Sequence, residues 1–370
     1  MNQEIPTHFL ERLSDAEAIE LYSSASLPEL ALKAEKVRYF FNPRREVTYL
    51  VDRNINYTNV CSTDCSFCAF YRPTAKHPES YTLTKEVITA KLKALVEIGG
   101  TRVLLQGGHN DELPYDYYLD LVSWISKDFP SIELNAFSPS EIEQMEKVSG
   151  KQADEILAEL QKCGLKGLPG GGAELLDDEI RKRVSPKKIS ADRWIEIMEA
   201  AQQLDLTTTA TMVIGLGESI QNRINHLRRL RELQDRTLKK GKRGFNLFIS
   251  WSLKLNENTS MGRSRLKDNF GVTTLEYLRN LSLARIYLDN IAHHQSSWPT
   301  LGPEIAQLGL QMGCDDIGST MMEENVVSQA GAPTKERWFV SPEELQDYIS
   351  GAGFIPLQRD SSFNIVSSAG

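Results

Sequence analysis

Cysteine is scarce in this 370-residue chain. There are five, and three of them fall within the single stretch 59-NVCSTDCSFCAFYR-72. So few thiols, so unevenly spread, exclude a small scaffold stapled by disulfides. No run approaches the ~20 apolar residues that a membrane-spanning helix needs, so no membrane insertion is expected. The opening MNQEIPTHFLERLSD lacks the basic-then-apolar pattern of a secretory signal. Both absences point to a cytoplasmic protein, where thiols stay reduced and clustered cysteines serve a metal or a reaction. An excess of positive charge is missing too. The 42 Lys and Arg are outnumbered by 50 Asp and Glu, a net charge of −8, which argues against nucleic acid as a partner. The most basic run, 227-LRRLRELQDRTLKKGKR-243, interleaves acids with its bases and reads as the solvated face and end of a helix. Ser/Gly-rich linkers, low-complexity tracts and internal repeats are absent as well, which favours one main domain.

What is present is an alternation. Residues 15–42 read as one helix and 46–60 as a strand leading into the cysteines. Helix 84–100, strand 101–106, helix 115–128, strand 131–137 and helix 151–163 follow. A short strand then exits through 164-GLKGLPGGGAE-174. Next come helix 190–204, strand 206–215, helix 219–238, strand 244–251, helix 273–288, strand 291–298, helix 302–312 and the short piece 314–318. A helix over 341–351, and a short strand beyond it, complete the tail. Such repetition predicts parallel βαβ units and, at this length, an α/β fold of the (β/α)8 TIM-barrel type, closed or nearly so, with an N-terminal helical extension. The expected division is a helical extension over 1–45, a barrel over 46–340 and a tail over 341–370 packed on the barrel. The polar and glycine-rich segments all follow strands, so the chemistry is predicted at one mouth.

Cys61, Cys65 and Cys68 have C-x3-C-x2-C spacing. A structural zinc site and a fully ligated four-iron cluster each take four protein ligands. Cys163 and Cys314 fall at the starts of distant strands in this reading and are taken as buried core thiols. Three thiolates can hold three irons of a cubane and leave the fourth open to an amine and a carboxylate. The alternatives are a zinc site completed by His77 or His109, incidental clustering, and a metal that is structural or only transfers electrons.

The C-x3-C-x2-C spacing, the aromatic Phe67 before the last cysteine and the position after the first barrel strand resemble the radical S-adenosylmethionine (SAM) superfamily. The strings 52-DRNINYTNVCSTDCSFCAFYR-72, LLQGGHND, AFSPSEI, LPGGGAELL, TATMVIGLGES and GSTMMEENVVSQAGA are similar to the cyclic dehypoxanthine futalosine synthase family of the futalosine route to menaquinone. This likeness runs from about residue 40 to 335. Aminofutalosine synthase and the deazaflavin-forming enzymes of coenzyme F420 synthesis are related families and stand as alternatives. One segment departs from the family's FIPWPFQPENT pattern: 248-FISWSLKLNENT-259 keeps Trp251 but lacks the prolines.

The resemblance implies a [4Fe-4S] cluster on Cys61, Cys65 and Cys68, with SAM bound beside Phe67. Gln106, Gly107 and Gly108 would meet its amino group, since glycine lets backbone approach a ligand closely. Glu174 would bind the ribose hydroxyls or the amino group, and the strand carrying Met212 and Ile214 would flank the adenine, binding it through backbone groups. Ser138 would either bond the cofactor or cap a helix. His294, Gln295, Ser297 and Trp298 would contact substrate. Glu323 or Glu324 would bind its hydroxyls or take a proton. Tyr57 would orient the loop near the substrate, and Arg72 would face the substrate carboxylate or form a salt bridge. The implied reaction starts with transfer of the C4′ hydrogen of dehypoxanthine futalosine to a 5′-deoxyadenosyl radical. The ring then closes onto the benzoate, with loss of one electron and one proton. A low-potential donor such as flavodoxin or ferredoxin would supply the reducing electron.

Overall fold

Two serines set the N-terminal architecture. Ser14 and Ser26 each accept a hydrogen bond from the backbone N–H three residues on, while Glu17 and Glu29 reach back to the serine N–H. Each capping box satisfies two orphan donors of a helix start. The expected single helix is therefore two, α1 (Asp15–Ser24) and α2 (Leu27–Phe41), with Pro28 in the first turn of the second. The computed structural model describes residues 12–323, 329 and 340–366.

The strands are β1 (Glu46–Leu50), β2 (Asp52–Asn56), β3 (Arg102–Gln106), β4 (Glu133–Ala136), β5 (Gly167–Leu168), β6 (Thr207–Ile214), β7 (Phe245–Ser252), β8 (His293–Gln295), β9 (Asp316–Ser319) and β10 (Ile355–Gln358). They form one sheet in the order β10-β1-β9-β8-β7-β6-β5-β4-β3-β2, parallel throughout. The expected strand over 46–60 is broken at Val51. Its first half pairs with β9 and β10, and its second half pairs with β3. One stretch of chain thus stands near both ends of the strand order, and the sheet curls round on itself. Asn54 N donates to Met322 O at 2.9 Å and Thr101 N to Val51 O at 3.0 Å, which ties the split strand to both flanks. The fold is of the TIM-type β/α kind.

Between the strands lie α3 (Lys85–Glu97), α4 (Tyr115–Asp128), α5 (Pro139–Ser149), α6 (Ala153–Cys163), α7 (Asp178–Val184), α8 (Ala191–Gln203), α9 (Ile220–Lys239), α10 (Thr274–Tyr287), α11 (Trp298–Leu301), α12 (Pro303–Leu310) and, in the tail, α13 (Pro342–Gly351). Helices α5 and α7 were not anticipated. Each is short and polar, and each is started by a local cap, Ser138 or Asp177, rather than by a long apolar stripe. No helix among the described residues is long and apolar enough to cross a membrane.

Strand alternation divides the core in two. In β6, Thr208 bonds Gln202 of α8, so Ala210, Met212 and Ile214 share its outward face and are buried among the helices. Thr209 and Thr211 point the other way and clasp Gly170 through its N–H and C=O. At the N-terminal ends of the strands, the tail closes the barrel floor. Arg359 Nε donates to Asp316 Oδ2 at 2.6 Å, Ser361 N to Glu133 Oε2 at 3.1 Å, and Phe363 stacks on His293 at 3.5 Å.

Candidate active site

The thiol loop leaves the end of β2 and rests on the loop after β3. Gly108 N donates to Thr58 O and Ser62 N to His109 O, both at 3.0 Å, while Cys61 N donates to Arg72 O at 2.9 Å. A Cβ on Gly108 would stand 2.1 Å from Val60 O and 2.8 Å from Cys61 Cβ, so only glycine admits this contact. On the far side, Ser66 N donates to Val184 O, and Met261 N donates to Ser66 O. Asp64, at φ +43°, turns the loop between the first two cysteines.

Thr63 Oγ1 lies 3.0 Å from Cys61 Sγ and 3.6 Å from Cys65 Sγ. Burial pushes the Cys65 thiol up to about 11, opposed by the Lys188 ammonium. Burial also raises Cys68, against backbone N–H groups of Tyr71 and Phe70. Cations and metals counter that burial and favour the thiolate. Among the described residues, no three His, Cys, Asp or Glu side chains come close enough to share one ion. His77 is engaged at Nδ1 by Glu79 N. His109 is buried and held neutral, its pKa drawn down to about 3 by burial and then by Lys188. Cys314 is buried just before β9. Cys163 ends α6 rather than starting a strand, and it is half-buried rather than buried.

Facing the thiols is the loop after β5. Glu174, at φ +39° and only 9% exposed, receives Lys188 Nζ at 2.6 Å and stands 3.6 Å from Arg181 Nη1. Its other oxygen, Oε2, is buried without a hydrogen-bond partner. A buried carboxylate oxygen left unpaired is costly, so this atom is set up to accept from a ligand's hydroxyl or amino group. Burial draws the Lys188 pKa down, but Glu174 and Cys65 outweigh it and keep the ammonium charged. Lys188 also lies 5.8 Å from the Phe67 ring centroid. Three thiols, one cation and an unspent carboxylate oxygen fit a three-thiolate cluster carrying an amino-acid nucleoside at its open iron.

The other predicted residues divide. Gln106 donates to Phe137 O and lies against Gly171, whose Cβ would stand 2.6 Å from its Nε2. Gly107 N donates to Glu141 Oε1 at 2.9 Å. Ser138 caps α5 and donates to Glu141 Oε2, which is the capping use. Met212 and Ile214 turn their side chains to the helices, so only the backbone of this strand is left to meet an adenine, and Ile214 O already accepts from Leu253 N. Tyr57 is not a substrate contact, because it is fully buried and its hydroxyl donates to Glu141 at 2.8 Å. Arg72 is a salt bridge to Glu79 at 2.6 Å that also binds the carbonyls of Ala69, Phe70 and Tyr71, so it braces the thiol loop.

His294 lies outside the mouth. It packs 5.2 Å from Phe248, and burial, then Arg285, pull its pKa well down. Gln295 is buried against Gly318, whose Cβ would stand 2.8 Å from its Nε2. Ser297 Oγ receives Trp251 Nε1 at 2.6 Å. Trp298 is a wall residue, since it is buried and its Nε1 donates to Ser319 O. Glu323 is tied to Arg53 and Lys91. Glu324 lies outside the described residues.

The model of the radical SAM superfamily matches residues 55–230, and that of the CofH/MqnC C-terminal region matches residues 242–369. The cyclic dehypoxanthine futalosine synthase of Halalkalibacterium halodurans is 44% identical over 96% of this chain and 92% of its own. The chain belongs to the radical SAM superfamily. The protein of the same name from Streptomyces coelicolor is 39% identical over 95% of this chain and 85% of its own. The aminodeoxyfutalosine synthase of Thermus thermophilus is 36% identical over 96% of this chain and 93% of its own. Among solved structures, methylornithine synthase has a TM-score of 0.73 at 18% identity, covering 94% of both chains. The hydrogenase maturase HydG from Carboxydothermus hydrogenoformans has a TM-score of 0.72 at 18% identity, covering 95% of this chain and 78% of its own. These two show the fold.

Members of this superfamily use a [4Fe-4S] cluster and SAM. In this radical SAM chain the sequence reading had not singled out Lys188, Arg181 or Glu141. Lysines in 185-SPKKIS-190 read as surface charge. A signal for Glu141 did exist, since 138-SPSE-141 is a capping-box pattern. Its carboxylate instead bridges to Gly107 and Tyr57.

Proposed function

We propose that the chain is a radical SAM cyclase that converts dehypoxanthine futalosine to cyclic dehypoxanthine futalosine in menaquinone biosynthesis. The carrying observation is the mouth itself, where three thiols face a buried carboxylate oxygen without a hydrogen-bond partner, in a chain with 44% identity to the Halalkalibacterium synthase. Cys61, Cys65 and Cys68 would hold the [4Fe-4S] cluster. When bound, the cluster and SAM supply a 5′-deoxyadenosyl radical, which takes the ribose C4′ hydrogen.

The chain's own residues bind and orient. Glu174 Oε2 accepts from the nucleoside, and Lys188 pairs with its other oxygen. Phe67 lines the site beside Lys188, and Gly107 and Gly108 let the loop after β3 pack closely under Tyr57 and Cys61. Trp251, pinned by Ser297, offers an aromatic edge to a flat ring. Such positioning is what brings a target hydrogen within reach of a reactive carbon. We place the protein in the cytoplasm, with a low-potential carrier such as flavodoxin or ferredoxin as its reductant.

Anaerobic reconstitution followed by assay tests this. Reduced protein with SAM and C4′-deuterated dehypoxanthine futalosine is expected to yield the cyclic product and 5′-deoxyadenosine carrying the deuterium. Cleavage of SAM without deuterium transfer would remove the cyclase, and failure to cleave SAM would remove radical chemistry altogether.

A further inference from the structure

One buried carboxylate outside the thiol loop ties the ends of three successive strands together. Glu141 is 4% exposed. Its Oε1 accepts from Tyr57 OH after β2 at 2.8 Å and from Gly107 N after β3 at 2.9 Å. Its Oε2 accepts from Ser138 Oγ after β4 at 2.8 Å. Ionised, the carboxylate accepts from all three donors; protonated, it keeps Tyr57 and Gly107 on Oε1 and turns its own O–H from Oε2 to Ser138 Oγ, so the three strand ends stay joined in either form. Burying it carries a desolvation cost that an apolar residue would avoid, so its retention calls for a geometric reason.

The bonds beyond it supply one. The Tyr57 ring occupies the space of a Gly107 Cβ, which would come within 2.5 Å of it. The next residue, Gly108, touches Val60 and Cys61 directly. Gly108 N and His109 O then clamp Thr58 O and Ser62 N, so residues 107–109 are the seat on which the first cysteine rests. We propose that Glu141 is the positioning residue for the cluster-bearing loop, acting through Gly107 and Tyr57 to set where Cys61 stands relative to the rest of the mouth. This rests on the radical SAM reading for its consequence in SAM binding, but the seat itself stands without that reading.

The experiment compares Glu141→Leu, Glu141→Gln and Tyr57→Phe with wild type. The reconstituted proteins are measured for iron content, for the electron paramagnetic resonance spectrum of the reduced cluster with SAM, and for SAM dissociation constant. The metal-free proteins are measured for the alkylation rate of Cys61, with Cys163 at the end of α6 as internal control. Glu141→Leu is expected to raise the SAM dissociation constant about tenfold, to change the spectrum and to speed Cys61 alkylation while Cys163 is unaffected. Glu141→Gln, which keeps one acceptor oxygen, and Tyr57→Phe, which removes one donor, are expected to give smaller shifts of the same sign. A merely structural role would lower thermal stability and leave the spectrum, the affinity and the alkylation ratio at wild-type values in all three variants, and that result overturns the proposal. Should Glu141→Leu not fold, wild-type values in the other two overturn it equally. If wild type takes up no iron, the cluster reading fails, while the alkylation ratio still decides the role of Glu141.

Discussion

The two ends of the barrel carry buried charge in different ways. At the floor, distant parts of the chain close on one another: Arg359 from the tail meets Asp316 of β9, Arg38 of α2 donates to the carbonyls of Cys314 and Glu46, and His293 pairs with Asp315 at 2.6 Å. At the mouth most of the left-handed non-glycine residues gather. Asp64, Phe137, Glu174, Met321 and Glu323 all adopt left-handed backbone there, a conformation that costs a non-glycine residue on the order of 1–3 kcal/mol. Glu174 also keeps an oxygen free. The floor's ion pairs join distant parts of the chain, while the mouth turns one carboxylate oxygen, Glu174 Oε2, toward a ligand.

Cys65→Ala is the sharpest way to break that contrast. It is expected to abolish cluster colour and SAM cleavage while leaving the thermal midpoint close to wild type, because one loop thiol carries no share of the floor's ion pairs. Retained iron with full colour would show that Cys65 is not a ligand. The mirror experiment is Arg359→Met. Removing one partner of a buried pair leaves Asp316 uncompensated and costs about 3–5 kcal/mol, read from denaturant midpoints, with SAM affinity of the folded fraction unchanged. A large loss of SAM affinity with intact stability would mean that floor and mouth are not separable.

The smallest effect concerns pH. Burial lifts Glu141 to about 7 from an ordinary 4.5, against the opposing bonds from Gly107, Ser138 and Tyr57. The folded state then holds this proton after the unfolded chain has released it. By linkage, the group's stabilising contribution is full below about pH 4.5 and is lost as pH rises through about 7. Glu141→Gln removes this dependence. The thermal midpoint of wild type is therefore expected to fall relative to the variant across that window, and parallel curves would show that Glu141 titrates normally.

Much of the mouth was legible because its signals are local. Spacing alone marked Cys61, Cys65 and Cys68, while Glu174 was marked by the resemblance of LPGGGAELL to a known family. Helix α4 was expected at its observed limits, 115–128, because its apolar face repeats with helical period. Residues whose meaning depends on direction were harder. His294 and Gln295 are neighbours on β8, yet alternation sends one to Phe248 and the other to Gly318. Glu323 and Arg72 looked available as charges until Arg53, Lys91 and Glu79 were found to take them.

The sequence by itself determined the alternation of strand and helix and the three thiols and their spacing, because each depends on residues a few positions apart. Tertiary structure alone decided that the first strand splits at Val51, that Lys188 rather than Arg72 stands beside the thiols, and that Glu141 joins three strand ends. Those outcomes depend on side chains brought together from far along the chain, where burial and pairing, not local pattern, set which charge is spent and which stays free.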